Sequence, residues 1–343
     1  MTMRSRTVLS SSLTAKLATL ASPRENRDHE LKTILAELSA LPAHLVVRAS
    51  REIAMAAQLG WYPLTHRLAS GFAGEPIYVR DLALMRRNPD YAWIFLFHPS
   101  GHVREAALDT LQTPPDSPFL LSALVWRLND WVEPVRRAAT RYLQRVQLRI
   151  SPNVAASSAP YLLNRRYAWG RWGSEADLLD EIFGRPDVLP ILAGFLQRTA
   201  NGPLAGHLRH ALRYPGIDQY LPTLAATAIQ PKIRAIAYHC LLTGSVSWVA
   251  GFERQWIDKV YGISKRVPKF ERRPLRDVKP SPELFWHAAR DGSVVVRRAA
   301  ADALIAASAP VPDEDRLIAL FEQDKSPSVR SRGDFLRRHL RSA

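Results

Sequence analysis

The chain has one cysteine, Cys240, so no disulfide can form within it, and a lone thiol supplies no cysteine cluster for structural zinc. A reducing compartment, the cytoplasm, fits that usage. No run approaches the roughly 18 consecutive apolar residues of a membrane helix, because Arg, Asp or Pro interrupts even the greasiest stretches. No membrane partner is expected. Strand-like alternation of apolar and polar residues is essentially absent. So are a glycine-rich phosphate loop, a Gly-x-Ser-x-Gly elbow and a His-Glu-x-x-His helix. His207 and His210 share a helix face at i, i+3 but have no candidate co-ligands nearby. The expectation is therefore of no catalytic residues, no metal and no cofactor.

Lysine is also scarce. Only eight of the 47 basic residues are Lys, leaving 39 Arg against 32 acidic residues and a formal charge of +15. A planar guanidinium grips phosphate and carboxylate bidentately, so an Arg-rich surface suits nucleic acid or an acidic protein. Coding in a GC-rich genome gives the same excess. Residues 1–24 hold Arg4, Arg6, Lys16, Arg24 and several serines but no acid, a composition shared by organelle transit peptides and disordered N-termini. Residues 1–25 are expected to be a flexible basic segment.

What is present is a recurring phrase: a turn residue, a β-branched residue, Arg, two variable positions, a small residue and a downstream Leu. Val103-Arg104 leads through Ala107 to Leu111, and Val135-Arg136 through Ala139 to Leu143. Ile233-Arg234 leads through Ala237 to Leu241, Val296-Arg297 through Ala300 to Leu304, and Val329-Arg330 through Gly333 to Leu336. The spacings approximate multiples of one period of about 32 residues. Weaker copies begin at Val47-Arg48 and Val79-Arg80. The three apolar positions fall at i, i+4 and i+8, one face of an α-helix. Asp130, Asp291 and Asp324 precede strong copies as turn signals, with Pro134 and Pro327 at the first helical turn.

The phrase resembles the HEAT family of helical repeats, most closely at Asp291-Gly-Ser-Val-Val-Val-Arg-Arg-Ala-Ala-Ala-Asp-Ala-Leu304. The resemblance implies an all-α fold, a right-handed α-solenoid of helical hairpins. It also implies that Arg104, Arg136, Arg234, Arg297 and Arg330 tie neighbouring repeats to aspartates, with irregularity at the Ile233 copy, which lacks its Asp. Repeats are expected over 26–150, 175–261 and 283–343, separated by a basic aromatic loop at 151–174 and a basic loop at 262–282.

Residues outside the repeat template are the candidates for binding. Arg137, Arg141, Arg145 and Arg149 follow one another at steps of four, a basic stripe whose mutual repulsion an anionic partner could relieve. The first loop carries Arg165, Arg166, Trp169, Arg171 and Trp172, where Arg can pair phosphates while neighbours stack on bases; the two Trp could equally plug a gap between two half-solenoids. The second loop carries Lys265, Arg266, Lys269, Arg272 and Arg273. These residues, on a concave face and its loops, point to a non-catalytic binder of an anionic macromolecule, nucleic acid first and an acidic protein second. A third reading comes from HEAT-like alkylpurine DNA glycosylases, to whose tryptophans, Asp and basic residues Trp126, Asp130, Trp131 and Arg136 are similar in type. Asp130 also occupies the structural repeat position.

Overall fold

A computed structural model describes residues 7–20, 28–60, 78–276, 282–307 and 310–340. The chain forms two compact units, Met1–Phe183 and Gly184–Ala343. Helices dominate both. The first unit contains α1 (Ser11–Thr19), α2 (Asp28–Ser39), α3 (Val46–Ala56), α4 (Val79–Arg87), α5 (Tyr91–Phe95), α6 (Gly101–Thr110), α7 (Pro118–Leu128), α8 (Glu133–Val146), α9 (Pro152–Leu162) and α10 (Asp177–Phe183). The second contains α11 (Leu189–Arg198), α12 (Leu204–Ala211), α13 (Leu221–Thr227), α14 (Pro231–Thr243), strands β1 (Ser245–Asp258) and β2 (Ile263–Pro274), then α15 (Pro282–Ala289), α16 (Val294–Ile305), α17 (Glu314–Glu322) and α18 (Pro327–Leu340). No helix among the described residues is long and apolar enough to cross a membrane.

The recurring phrase lies on α6, α8, α14, α16 and α18, and its apolar positions form the core: Val103, Val135, Ile233, Val296 and Val329 are all inaccessible to solvent. The small position sets how closely helices approach. At Gly333 an added Cβ would lie 2.7 Å from the Glu322 backbone nitrogen, so α18 meets the end of α17 at a distance that only glycine permits.

The arginine of each copy makes the same local contact. Its guanidinium donates to the carbonyl six residues earlier: Arg104 to His98, Arg136 to Asp130, Arg234 to Ala228, Arg297 to Asp291 and Arg330 to Asp324, at 2.8–2.9 Å. In three copies the rest of the fork clasps an aspartate further along the chain. Arg104 pairs with Asp130, Arg234 with Asp291 and Arg297 with Asp324, each bidentately. Each of those aspartates also accepts the N–H two residues on, at Val132, Ser293 and Ser326, and so shapes the turn before the next helix. Two rungs differ. Arg136 faces Glu175 at 4.0 Å, and in the Val103 copy His98 replaces the aspartate, its Nδ1 accepting the Ser100 N–H and its Nε2 facing Asp81.

Three expectations are corrected. The mostly helical fold carries one small antiparallel pair: the expected central repeats of 175–261 end in β1, and the stretch 262–282, expected as a loop, holds β2 over Ile263–Pro274. The stretch 151–174, expected as a loop, opens with α9, whose Val154, Ala155, Ser158, Ala159 and Leu162 are buried. In the segment 1–25, residues 1–6 and 21–25 lie outside the described residues, but α1 is not a flexible tail. Ser10 caps it, Leu13 and Leu17 are buried, and the Val8 and Leu9 N–H groups donate to the Glu52 carboxylate.

Two tests follow from the rungs. Asp130 has a side-chain exposure of 1% and serves two buried guanidinium groups, Arg104 and Arg127. Asp130→Ala strands both, and chemical denaturation should show a loss of about 3–5 kcal/mol. In the second unit, hydrogen bonds from Arg297 chiefly hold the Asp324 carboxyl below its ordinary value. Burial works against Asp291, but Arg234 and the Ser293 N–H bring it below as well. Groups shifted this way contribute stability that is complete above the unfolded value of about 4 and is lost as pH falls through the folded values. Urea midpoints measured from neutral pH into the acid range should therefore drop below about pH 4, and the drop should shrink in Asp324→Asn.

Candidate nucleic-acid interface

The hairpin is built from the residues that the helices avoid. No leucine occurs from 245 to 274, while Val, Ile, Trp and Phe recur, side chains that suit a pleated ribbon. Ser245 pairs with Pro274 and the register runs to Asp258 opposite Ile263, with bulges between Val249 and Gly251 and between Trp256 and Asp258. Beyond its base nearly every side chain is exposed. The hairpin therefore projects from the helices.

Opposite residues share a face of a strand pair, so the register sorts the side chains. One face carries Val249, Phe252, Arg254 and Trp256 from β1 and Arg266, Phe270 and Arg272 from β2, and it has no acid. Arg254 stands directly opposite Arg266, a like-charge pair that costs stability in isolation. Each guanidinium covers a ring instead, Arg266 at 4.3 Å from the centre of Phe252 and Arg254 at 5.2 Å from that of Trp256. The other face mixes signs, with Glu253 and Glu271 among Lys265, Lys269 and Arg273.

A lone two-stranded ribbon is marginal in water, so its base matters. Val246 is buried, and Arg273 reaches into the helices, donating to both oxygens of Asp218 at 2.6 and 2.7 Å and to the Leu212 carbonyl at 2.8 Å. Asp218 also accepts the Arg276 N–H, and Arg213 donates to the Val249 carbonyl. Arg273, expected to bind ligand, is thus the anchor of the hairpin.

The stripe along α8 and the short 3-10 turn Gln147–Arg149 that follows it is satisfied from within. Arg137 pairs with Glu133, and Arg141 with Asp109 on α6. Arg145 donates to the Leu111 carbonyl and Arg149 to that of Gln112, just past the C-terminus of α6, where helix carbonyls carry partial negative charge. In the aromatic segment, Arg166 is held by Asp177, Asp180 and the Ala176 carbonyl, and buried Trp172 donates to the Arg166 carbonyl and packs beside Trp169. Arg165 lies over the Tyr161 ring. Trp172 is buried, and half-buried Trp169 also meets the Tyr161 ring of α9 edge-on. Arg171 differs: its side chain is exposed and borders a cleft of about 320 Å³ lined also by Arg51, Trp126, Arg127 and Trp131.

Beneath that cleft Asp130 accepts two hydrogen bonds on each oxygen, from Arg104 and Arg127 on Oδ2 and from Arg104 and Val132 on Oδ1. No lone pair remains for a substrate or water. Burial lowers the Arg127 pKa to about 10, with Asp130 opposing and Arg104 assisting the shift. The cleft is cationic. Burial also pushes the Cys240 thiol up to about 12, leaving it unreactive. Among the described residues no three His, Cys, Asp or Glu side chains cluster to hold a metal.

No model of a known protein family matches the chain, and no curated protein matches it.

Phe252, Arg254, Trp256 and Phe270 are binding candidates that sequence reasoning passed over. The signal for them was the leucine-free window. Because one carboxylate, Asp218, holds the hairpin base, Asp218→Ala should leave the helices folded but free the ribbon. Limited trypsin digestion is expected to cut between Arg254 and Arg272 much faster than in the wild type, with helical circular dichroism unchanged.

Proposed function

We propose that the chain is a non-catalytic nucleic-acid-binding protein, a right-handed α-solenoid of HEAT-like repeats from which a basic hairpin projects. The observation that carries the reading is the acid-free face of the hairpin. Three arginines and three aromatic rings stand together there, with Arg254 directly opposite Arg266, a concentration of positive charge that suits a phosphate backbone. Arginine can pair phosphates while rings offer stacking surfaces to bases. The cationic cleft bordered by Arg51, Arg127 and Arg171 is a second surface of the same sign.

The recurrent Arg–Asp rungs support the HEAT-like reading, because they link successive copies of the phrase as that family's do. Saturation of Asp130 by four hydrogen bonds, with two guanidinium groups already paired to it, supports a binder over a glycosylase, because no acceptor site is left to take a proton from a water. A nucleic-acid ligand and a single buried thiol suit a cytoplasmic setting.

Salt dependence tests the proposal. Affinity for duplex or single-stranded oligonucleotides should fall steeply with salt, and replacing Arg254, Arg266 and Arg272 by Ala should flatten the log–log slope by about two to three units, close to one per lost phosphate contact. The same change at Arg137, Arg141 and Arg145 should do much less, because those side chains are already paired. Absence of binding to either nucleic acid at about 50 mM salt overturns the reading.

A further inference from the structure

The end of the hairpin has a chemistry that phosphate binding leaves unexplained. Asp258 closes β1 and accepts the N–H groups of Val260 and Tyr261 at 2.8 and 3.0 Å. The chain then reverses through residues 259–262, with Gly262 in the left-handed region at φ 66°. A turn of this kind leaves Val260 and Tyr261 at its apex, 89% and 78% exposed. Val260 is the most exposed large apolar side chain among the described residues. Ile257 and Ile263 flank the apex, and Arg254, Lys259, Lys265 and Arg266 surround it. The hairpin thus has an apolar point, one acid-free cationic face and one face of mixed sign.

Resting on the nucleic-acid reading, we propose that Val260 and Tyr261 are a wedge that enters the base stack of a duplex while the cations of the ribbon hold the phosphates on either side. Two-stranded ribbons enter duplex grooves, and apolar side chains of minor-groove-bound elements part base steps and kink the helix. The push needs a stiff support. The Arg273–Asp218 pair and buried Val246 provide it by fixing the base of the ribbon to the helices. A membrane is the weaker occupant for the same tip, because Asp258 and Lys259 lie between the apolar residues and would have to follow them toward the hydrocarbon. A base step takes only the apex.

The full chain is titrated into duplexes carrying 2-aminopurine, placed in turn at each central step. Wild type is expected to raise the fluorescence at saturation, as unstacking does. Val260→Ser with Tyr261→Ser should abolish the rise and keep the salt slope of binding. Arg254→Ala with Arg266→Ala should weaken binding but retain the rise once saturated. Wild-type binding without any rise, or a full rise in the apex variant, overturns the wedge and leaves the nucleic-acid reading standing. Binding to phosphatidylserine vesicles that the apex variant loses, with no binding to duplex or single-stranded oligonucleotide, overturns both.

Discussion

A guanidinium has five N–H donors, and burying it is costly unless nearly all of them are met. In the bidentate copies the recurring arginine meets them in two directions. One nitrogen covers the carbonyls left open where the chain turns into its own helix, and in three copies the remaining fork takes an aspartate that is itself shaping the next turn. Each rung therefore joins two turns and two helix starts through one charge pair. With the polar groups at the turns satisfied, the helix faces can be left to Val, Ala, Gly and Leu, and the backbones can close to the distance at Gly333. The His98–Asp81 rung keeps this arrangement with the donor and acceptor exchanged between partners.

Much of this was legible in the sequence, because a helix writes its buried face as a period. Val135, Ala139 and Leu143 declare one side of α8 whatever they pack against. The hairpin wrote nothing of the kind. Strands betray themselves by alternation when one face is buried, and beyond its base this ribbon buries neither, so both faces hold charge and aromatics together. The α8 stripe was readable as spacing, whereas its partners, Asp109 and the end of α6, belong to the preceding copy and emerge only on folding. In α1 the helical spacing of Leu9, Leu13 and Leu17 was present, but the basic, serine-rich composition around it spoke for a tail.

The surplus of arginine consequently divides into classes that composition cannot separate. Arg104 and Arg297 are framework, Arg145 and Arg149 neutralise a helix terminus, and Arg273 fastens an insertion. Side chains such as Arg254 and Arg272 meet solvent on a ribbon face without carboxylates. Net charge measures the sum of these roles, and the register of one short sheet is what distinguishes them.

The Arg234–Asp291 rung spans 57 residues, against 26 and 27 for the other two bidentate rungs, and the hairpin accounts for the difference. Helices α14 and α16 pack against each other as though nothing intervened. The ends of the insertion are thus held by the scaffold, independently of what lies between them. That makes the position a socket. Ribbons of other lengths, tips and charges could be exchanged there without renegotiating the helical core, so the scaffold and its reach for a ligand are free to evolve on separate terms.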